Sequence, residues 1–187
     1  MYKDKSLRKY LDDLAARLPA PGGGSAAGLT AALGASLISM VINFTLGKPK
    51  YARYEEELKG ILVKSEALRG EFLSLVDLDV VAYKSKNIKD ALDIPFMVCR
   101  LCFEGIKLCA PLIKKGNLRL ISDVAVAAVL LEAAFAAANF NVEINLSLPE
   151  NKRFAAQIRK ELNRKDKLIR KIRQQTEAKV GKIISAS

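Results

Sequence analysis

The stretch Ala20–Gly47, APGGGSAAGLTAALGASLISMVINFTLG, holds 28 residues and no charge. It is long enough to cross a bilayer. Its composition argues against that, because Gly, Ala, Ser, Thr and Asn make up at least as much of it as Leu, Ile and Val, and Ser36, Ser39 and Asn43 recur on one helical face. The expected structure is a helix running from the glycines to about Leu46, buried in a soluble protein that makes no membrane contact. Gly24, Gly28 and Ala32, with Ala27, Ala31 and Ala35, repeat at a spacing of four and let a second helix pack very close.

A buried helix needs helices around it, and the flanking sequence supplies them. Upstream, Ser6 to Leu18 reads as a helix with Ser6 as N-cap and Leu7, Leu11, Leu14 and Leu18 on one stripe; Pro19-Ala20-Pro21 ends it. After the break at Gly47-Lys48-Pro49, a longer helix is expected from about Tyr51 to Tyr83, its inner face carried by Leu58, Ile61, Leu62, Leu68, Phe72, Leu75 and Val76. A fourth should start near Pro95 as its first residue, meet a kink or end at Pro111, and stop at Lys114-Lys115-Gly116-Asn117. Ser122 to Val142 is the most apolar segment and the expected centre of the fold, with Asn141 to Leu148 as its frayed end and an extended link. Ser147-Leu148-Pro149-Glu150 has capping-box spacing and opens a last helix. Residues 1–187 then form one all-α domain, an up-and-down bundle of about six helices.

Composition narrows the chemistry. Lys and Arg number 31 against 20 Asp and Glu, for a net charge of +11, and there is no histidine. A Ser-His-Asp triad, a His-ligated zinc and an imidazole acid/base are thereby excluded. Cys99, Cys102 and Cys109 are too few and odd in number for a secreted disulfide framework, and the Cys99–Cys102 pair lacks a second pair to complete a metal site, so buried helical thiols in a reducing cytoplasm are expected. Met1 to Leu18 alternates charge and leucine without an apolar run, which reads as no export signal. Basicity is local: residues 151–187 hold 12 cations and 3 acids. With the charges spread over helical turns and little aromatic interleaving, that last helix reads as a solvated face rather than a nucleic-acid site.

Three groups stand out as chemistry. Gly22, Gly23 and Gly24 before Ser25 let a ligand approach the backbone closely, and a helix start offers free N–H groups and a positive dipole end. Asp79 falls on the stripe of Leu68, Phe72 and Leu75, whereas Asp77 falls off it, so Asp79 should face inward with its pKa raised by desolvation, as suits a general acid/base. A structural carboxylate is the alternative. Asp123 opens the most apolar helix, either as a second acid of the site or as a stabiliser of the helix dipole. Ser36, Ser39 and Asn43 share one face of their helix, as do Glu132, Asn139 and Glu143 of theirs, and these faces are expected to meet each other or a dimer mate.

Taken in order, these segments are familiar. Pro21-Gly22-Gly23-Gly24-Ser25, then Asn43-Phe44-Thr45-Leu46-Gly47-Lys48-Pro49-Lys50-Tyr51, resembles the opening of the cyclodeaminase/cyclohydrolase family, the C-terminal half of formiminotransferase-cyclodeaminase. Asp79-Val80-Val81-Ala82-Tyr83, Ile94-Pro95, Gly116-Asn117, Ser122-Asp123 and Asn141-Val142-Glu143-Ile144-Asn145-Leu146 are similar to further signatures of that family, across roughly residues 6 to 155. The resemblance implies an all-helical homodimer acting on a tetrahydrofolate derivative, with no metal or nucleotide. Its reaction is hydrolysis of 5,10-methenyltetrahydrofolate or closure of 5-formimidoyltetrahydrofolate with loss of ammonia. Catalytic roles fall to Asp79 and Asp123, and substrate binding to Gly22, Gly23, Gly24, Ser25 and Lys48. No formiminotransferase domain is visible, which tilts the expectation toward cyclohydrolysis. Only 15 residues separate Asp79 from Pro95, fewer than the family usually has. The alternative is therefore a degenerate member that binds folate, a protein partner or nucleic acid without turnover.

Overall fold

The computed structural model describes residues 1–186. Its α-helices are α1 (Leu7–Ala15), α2 (Gly23–Asn43), α3 (Glu55–Ser85), α4 (Ile88–Lys107), α5 (Cys109–Lys115), α6 (Ile121–Leu146) and α7 (Lys152–Ser185), and no strand occurs among the described residues. Helices α4 and α5 form one run interrupted at Leu108. Pro111 has no N–H to give to the Lys107 carbonyl four residues back, so the helix restarts there. Counted as one, they give the six helices expected.

Small residues place α2 at the centre, between α3 and α6 and against α4. At Gly34 an added Cβ would stand 2.8 Å from Leu131 Cγ and 3.2 Å from the Ala127 carbonyl oxygen, so α6 lies closer to α2 here than an alanine would allow. Phe72, Phe135, Ile38, Leu58, Ile106 and Leu131 fill the core around it. Cys99, Cys102 and Cys109 are buried and unpaired, and burial pushes the Cys99 and Cys109 thiols up to about 12.

The structure departs from the sequence expectations at several points. Helix α4 starts at Ile88, capped by Asn87, whose side chain accepts from the Lys89 and Asp90 N–H groups at 3.1 and 3.2 Å. Pro95 therefore lies inside the helix. Its missing N–H leaves the Ala91 carbonyl free, and Asn145 Nδ2 on α6 donates to that oxygen at 2.8 Å. For the same reason residues 141–146 stay helical: their polar side chains serve neighbours instead of ending the helix. Ser147 donates to the Glu143 carbonyl rather than capping α7, whose N-cap is Asn151. Helix α1 ends at Ala15, short of Leu18; Leu7, Leu11 and Leu18 are exposed, and the buried residue of α1 is Tyr10 beside that stripe. The polar faces of α2 and α6 do not meet: Ser39 pairs with Ser65 of α3 at 2.8 Å, while Glu132 and Glu143 turn to Arg173 and Arg159 of α7.

Gly34 and Gly60 separate close approach from open surface. Gly34→Ala should lower stability in urea unfolding by about 1–3 kcal/mol through overpacking. Gly60→Ala, where nothing lies within 4 Å of the new Cβ, should raise it by about 0.5–1 kcal/mol from helix propensity alone.

Candidate active site

The site begins where α3 crosses the first turn of α2. Asp79 Oδ2 accepts from the Ser25 N–H at 2.9 Å. A Cβ on Gly24 would stand 2.1 Å from Asp79 Oδ1, so the carboxylate rests on bare backbone that only glycine provides. Ser25 is fully buried, and its hydroxyl accepts from the Tyr10 hydroxyl at 3.2 Å. Two forces act on Asp79 in opposite directions. Burial strips water from the carboxylate and raises its pKa, while the Ser25 N–H at the helix start favours the charged form; burial wins, and the pKa is raised.

Asp79 opens into a cavity of about 290 Å³ lined by the three glycines, Tyr83, Ala91, Asn141 and Asn145 among others. The N–H groups of Gly23 and Gly24 precede the first intrahelical bond and are unclaimed donors at its rim. Among the described residues no other charged side chain lines it. The short connection from α3 to α4 is a tight turn with Lys86 in the left-handed region at φ 54°, so Tyr83 and Ala91 face the cavity from either side of it.

Of the residues marked out by sequence, Gly22, Gly23, Gly24, Ser25 and Asp79 come together. Gly22 is the N-cap of α2, and Ser25 contributes its N–H rather than a side-chain cap. Lys48 and Asp123 lie elsewhere. Asn117 ties the C-terminal end of α2 to the start of α6 through Thr45 and Phe44 at 2.8 and 3.1 Å, so the two helices run antiparallel. Asn141 lies 18 residues along α6 from Asp123, which puts that end about 27 Å from the cavity. Asp77 was expected off the inward stripe and is buried at 5% exposure. The N-terminal 3₁₀ turn at Tyr2–Asp4 covers it, and the Tyr2 and Lys3 N–H groups donate to its carboxylate. Tyr10, Asn141 and Asn145 escaped the sequence reading as chemistry. The asparagines stood in a signature but were assigned to a link, and nothing in the spacing marks Tyr10.

A larger cleft of about 610 Å³ runs between α4 and α7. Its sheltered acid, Glu161, is gripped by Arg100 at 2.9 and 2.8 Å, which holds it below the ordinary carboxylate range. That acid is committed to structure, so the cavity at Asp79 is the better reactive centre.

In sequence and overall fold the chain is similar to known proteins. The model of the formiminotransferase-cyclodeaminase family matches residues 6–86 and 84–164. Methenyltetrahydrofolate cyclohydrolase of Methylorubrum extorquens is 37% identical, over 87% of this chain and 89% of that protein. Formimidoyltransferase-cyclodeaminase of Rattus norvegicus is 31% identical over 76% of this chain and 31% of that protein, so the chain spans about a third of that longer relative. Among solved structures, formiminotetrahydrofolate cyclodeaminase from Thermotoga maritima superposes with a TM-score of 0.92 at 28% identity, covering 98% of this chain and 100% of that one.

Because the folded-state pKa of Asp79 is raised, ionisation opposes folding, and stability is lost as pH rises through that pKa. Asp79→Asn should therefore melt above the wild type at pH 7, with the gap closing as pH falls below the ordinary value of 3.8, where both side chains are neutral. Calorimetry between pH 3 and 8 measures it.

Proposed function

The chain belongs to the formiminotransferase-cyclodeaminase family, and from that premise we propose the chemistry of its cavity. It is a folate one-carbon enzyme that hydrolyses 5,10-methenyltetrahydrofolate to the 10-formyl form, or closes 5-formimidoyltetrahydrofolate to the methenyl form with release of ammonia. One observation carries the reading: Asp79 is the single charged group of a cavity whose other polar groups are neutral. A cationic one-carbon centre finds one counter-charge there and nothing that repels it.

In the hydrolytic direction, the Asp79 carboxylate takes a proton from water as the oxygen adds to the methenyl carbon. It returns that proton to ring nitrogen N5 as the C–N5 bond breaks, and the remaining hydroxyl proton of the adduct passes to solvent water, leaving a neutral formyl group on N10. In deamination, N10 adds to the formimidoyl carbon, and Asp79 relays the N10 proton to the departing nitrogen, which leaves as ammonia. A carboxylate with a raised pKa suits both transfers near neutral pH. Protein groups and water suffice for either. The match to a cyclohydrolase over nearly its whole length favours hydrolysis as the main reaction.

We infer in addition that the enzyme works as a cytoplasmic homodimer. Buried, unpaired cysteines suit a reducing compartment. The faces that α2 and α6 turn outward are apolar, with Leu33, Val126, Val129, Phe140 and Ile144 exposed, while Glu132 and Glu143 turn to α7. Both helices are apolar enough by length and composition to cross a membrane, and a second copy is the natural cover for their exposed apolar faces. A two-fold axis across the helices would set the Lys48 and Asp123 end of one subunit beside the Asp79 cavity of the other. Mixing inactive Asp79→Asn and Asp123→Ala subunits should then restore about a quarter of wild-type activity, since half the dimers are mixed and each holds one intact site. Full activity of Asp123→Ala alone would reduce Asp123 to a helix-dipole stabiliser.

The direct test follows the near-ultraviolet absorbance of 5,10-methenyltetrahydrofolate with purified protein. Decay above the spontaneous rate is expected, with appearance from 5-formimidoyltetrahydrofolate marking deamination; silence in both from a folded protein would return the non-catalytic binding reading. Gly24→Ala should lower kcat about 100-fold by displacing the carboxylate.

A further inference from the structure

Pro95 and Asn145 lie 50 residues apart in sequence, and the proline decides which way the asparagine faces. The Ala91 carbonyl, stripped of its helical donor by Pro95, accepts from Asn145 Nδ2 at 2.8 Å, and the Asn141 carbonyl accepts from the same nitrogen at 2.7 Å. Both partners are carbonyl oxygens. Only the N–H₂ half of the amide can serve them, so Oδ1 must point the other way. Asn145 lines the cavity. Among the described residues, the buried side-chain polar atoms without a partner are Asn139 Oδ1 and Arg173 Nε, so Asn145 Oδ1, which bonds to no protein group, is open to that space.

Asn141 repeats the arrangement one turn earlier. Its Nδ2 donates to the Ala137 carbonyl at 3.0 Å, and the amide lies across Gly23, where an added Cβ would stand 3.5 Å from both terminal atoms. Its Oδ1 is likewise left to the cavity. The two asparagines thus offer a pair of oriented acceptors to a cavity whose lining, among the described residues, holds no lysine or arginine.

We propose that Asn141 and Asn145 are specificity-determining residues of the cavity, offering two oriented acceptors to the N–H groups of an amidine-like N–C–N unit on the ligand. The assignment rests on the folate reading for its ligand. Two parts of such a substrate carry that chemistry: the 2-amino and N3–H edge of the pterin, and the formimidoyl group itself. Once a ligand covers them, such acceptors reject an analogue without N–H donors, because they would be left unpaired.

The experiment measures kcat and KM for both reactions in the wild type, Asn141→Ala, Asn145→Ala and Pro95→Ala. KM should rise about tenfold in each asparagine variant, the share of one hydrogen bond to an acceptor that the ligand covers, with kcat changed far less. Pro95→Ala touches nothing in the cavity but returns an N–H to the Ala91 carbonyl; it should free the Asn145 amide and raise KM while leaving the melting temperature the same or higher. Equal rises with both substrates place the contact on the pterin edge, and a rise with the formimidoyl substrate alone places it there. Folded asparagine variants with KM within twofold of wild type for both substrates would overturn the proposal, as would a loss confined to melting temperature. Fluorescence titration with pterin, competed by formamidinium, reads the same acceptors without turnover. A wild type that binds these probes but turns over neither substrate sinks the folate enzyme and leaves the acceptor pair standing if Asn145→Ala loses the binding; a wild type that binds neither probe sinks the pair.

Discussion

A carboxylate pressed onto bare backbone organises this molecule. Asp79 lies over Gly24 at a separation that leaves no room for a Cβ, with one oxygen held by the Ser25 N–H. That contact requires α3 to cross α2 at its first turn, requires glycine at the crossing, and requires the flanking residue to spend its N–H on a side chain of another helix. Desolvation of the carboxylate raises its pKa and works against folding, an opposition of the kind that clusters at functional sites.

The rest of the fold serves that crossing. Small residues let α2 run between α3 and α6 at close quarters, with Gly34 set against Leu131 and the Ala127 carbonyl of α6. Around the site, polar groups are aligned by backbone defects rather than by salt bridges. Pro95 opens a carbonyl on α4, Asn145 fills it, and Asn151 in turn donates to the Asn145 carbonyl at 2.9 Å, linking α4, α6 and the start of α7. Tyr10 closes the far side through the Ser25 hydroxyl and is the one buried residue of α1. A cavity with one charge and neutral, oriented acceptors results. The many charges of the chain lie outside it, chiefly on α7, where Glu132, Glu143 and Glu161 meet arginines.

Much of this was legible in the chain. Periodicity placed the helices to within a few residues where the pattern was strong, as in α2 and α3, and Ser6 capped α1 as expected. Boundaries failed where a local signal was outvoted by a neighbour. Pro95 reads as a helix start because its ring breaks a helical bond, yet a side chain from α6 repairs the loss and the helix runs through. Asn141 to Leu148 reads as an ending because it alternates in polarity, but its asparagines face the cavity and its carboxylate Glu143 faces Arg159.

The amino-acid sequence alone determined the helical class, the inward placement of Asp79, the glycine platform and the family signatures, because each depends on residues close together in the chain or on a repeat of 3.6. The tertiary structure decided which neighbour covers each face. It buried Asp77 under the N-terminal turn, left Leu7 and Leu11 of α1 in solvent, aimed the two asparagines into the cavity, and set Lys48 and Asp123 at the far end of the bundle. A periodic pattern gives a helix a direction to face, but the identity of what it meets is settled only when helices from distant parts of the chain pack and each buried polar group must find a partner.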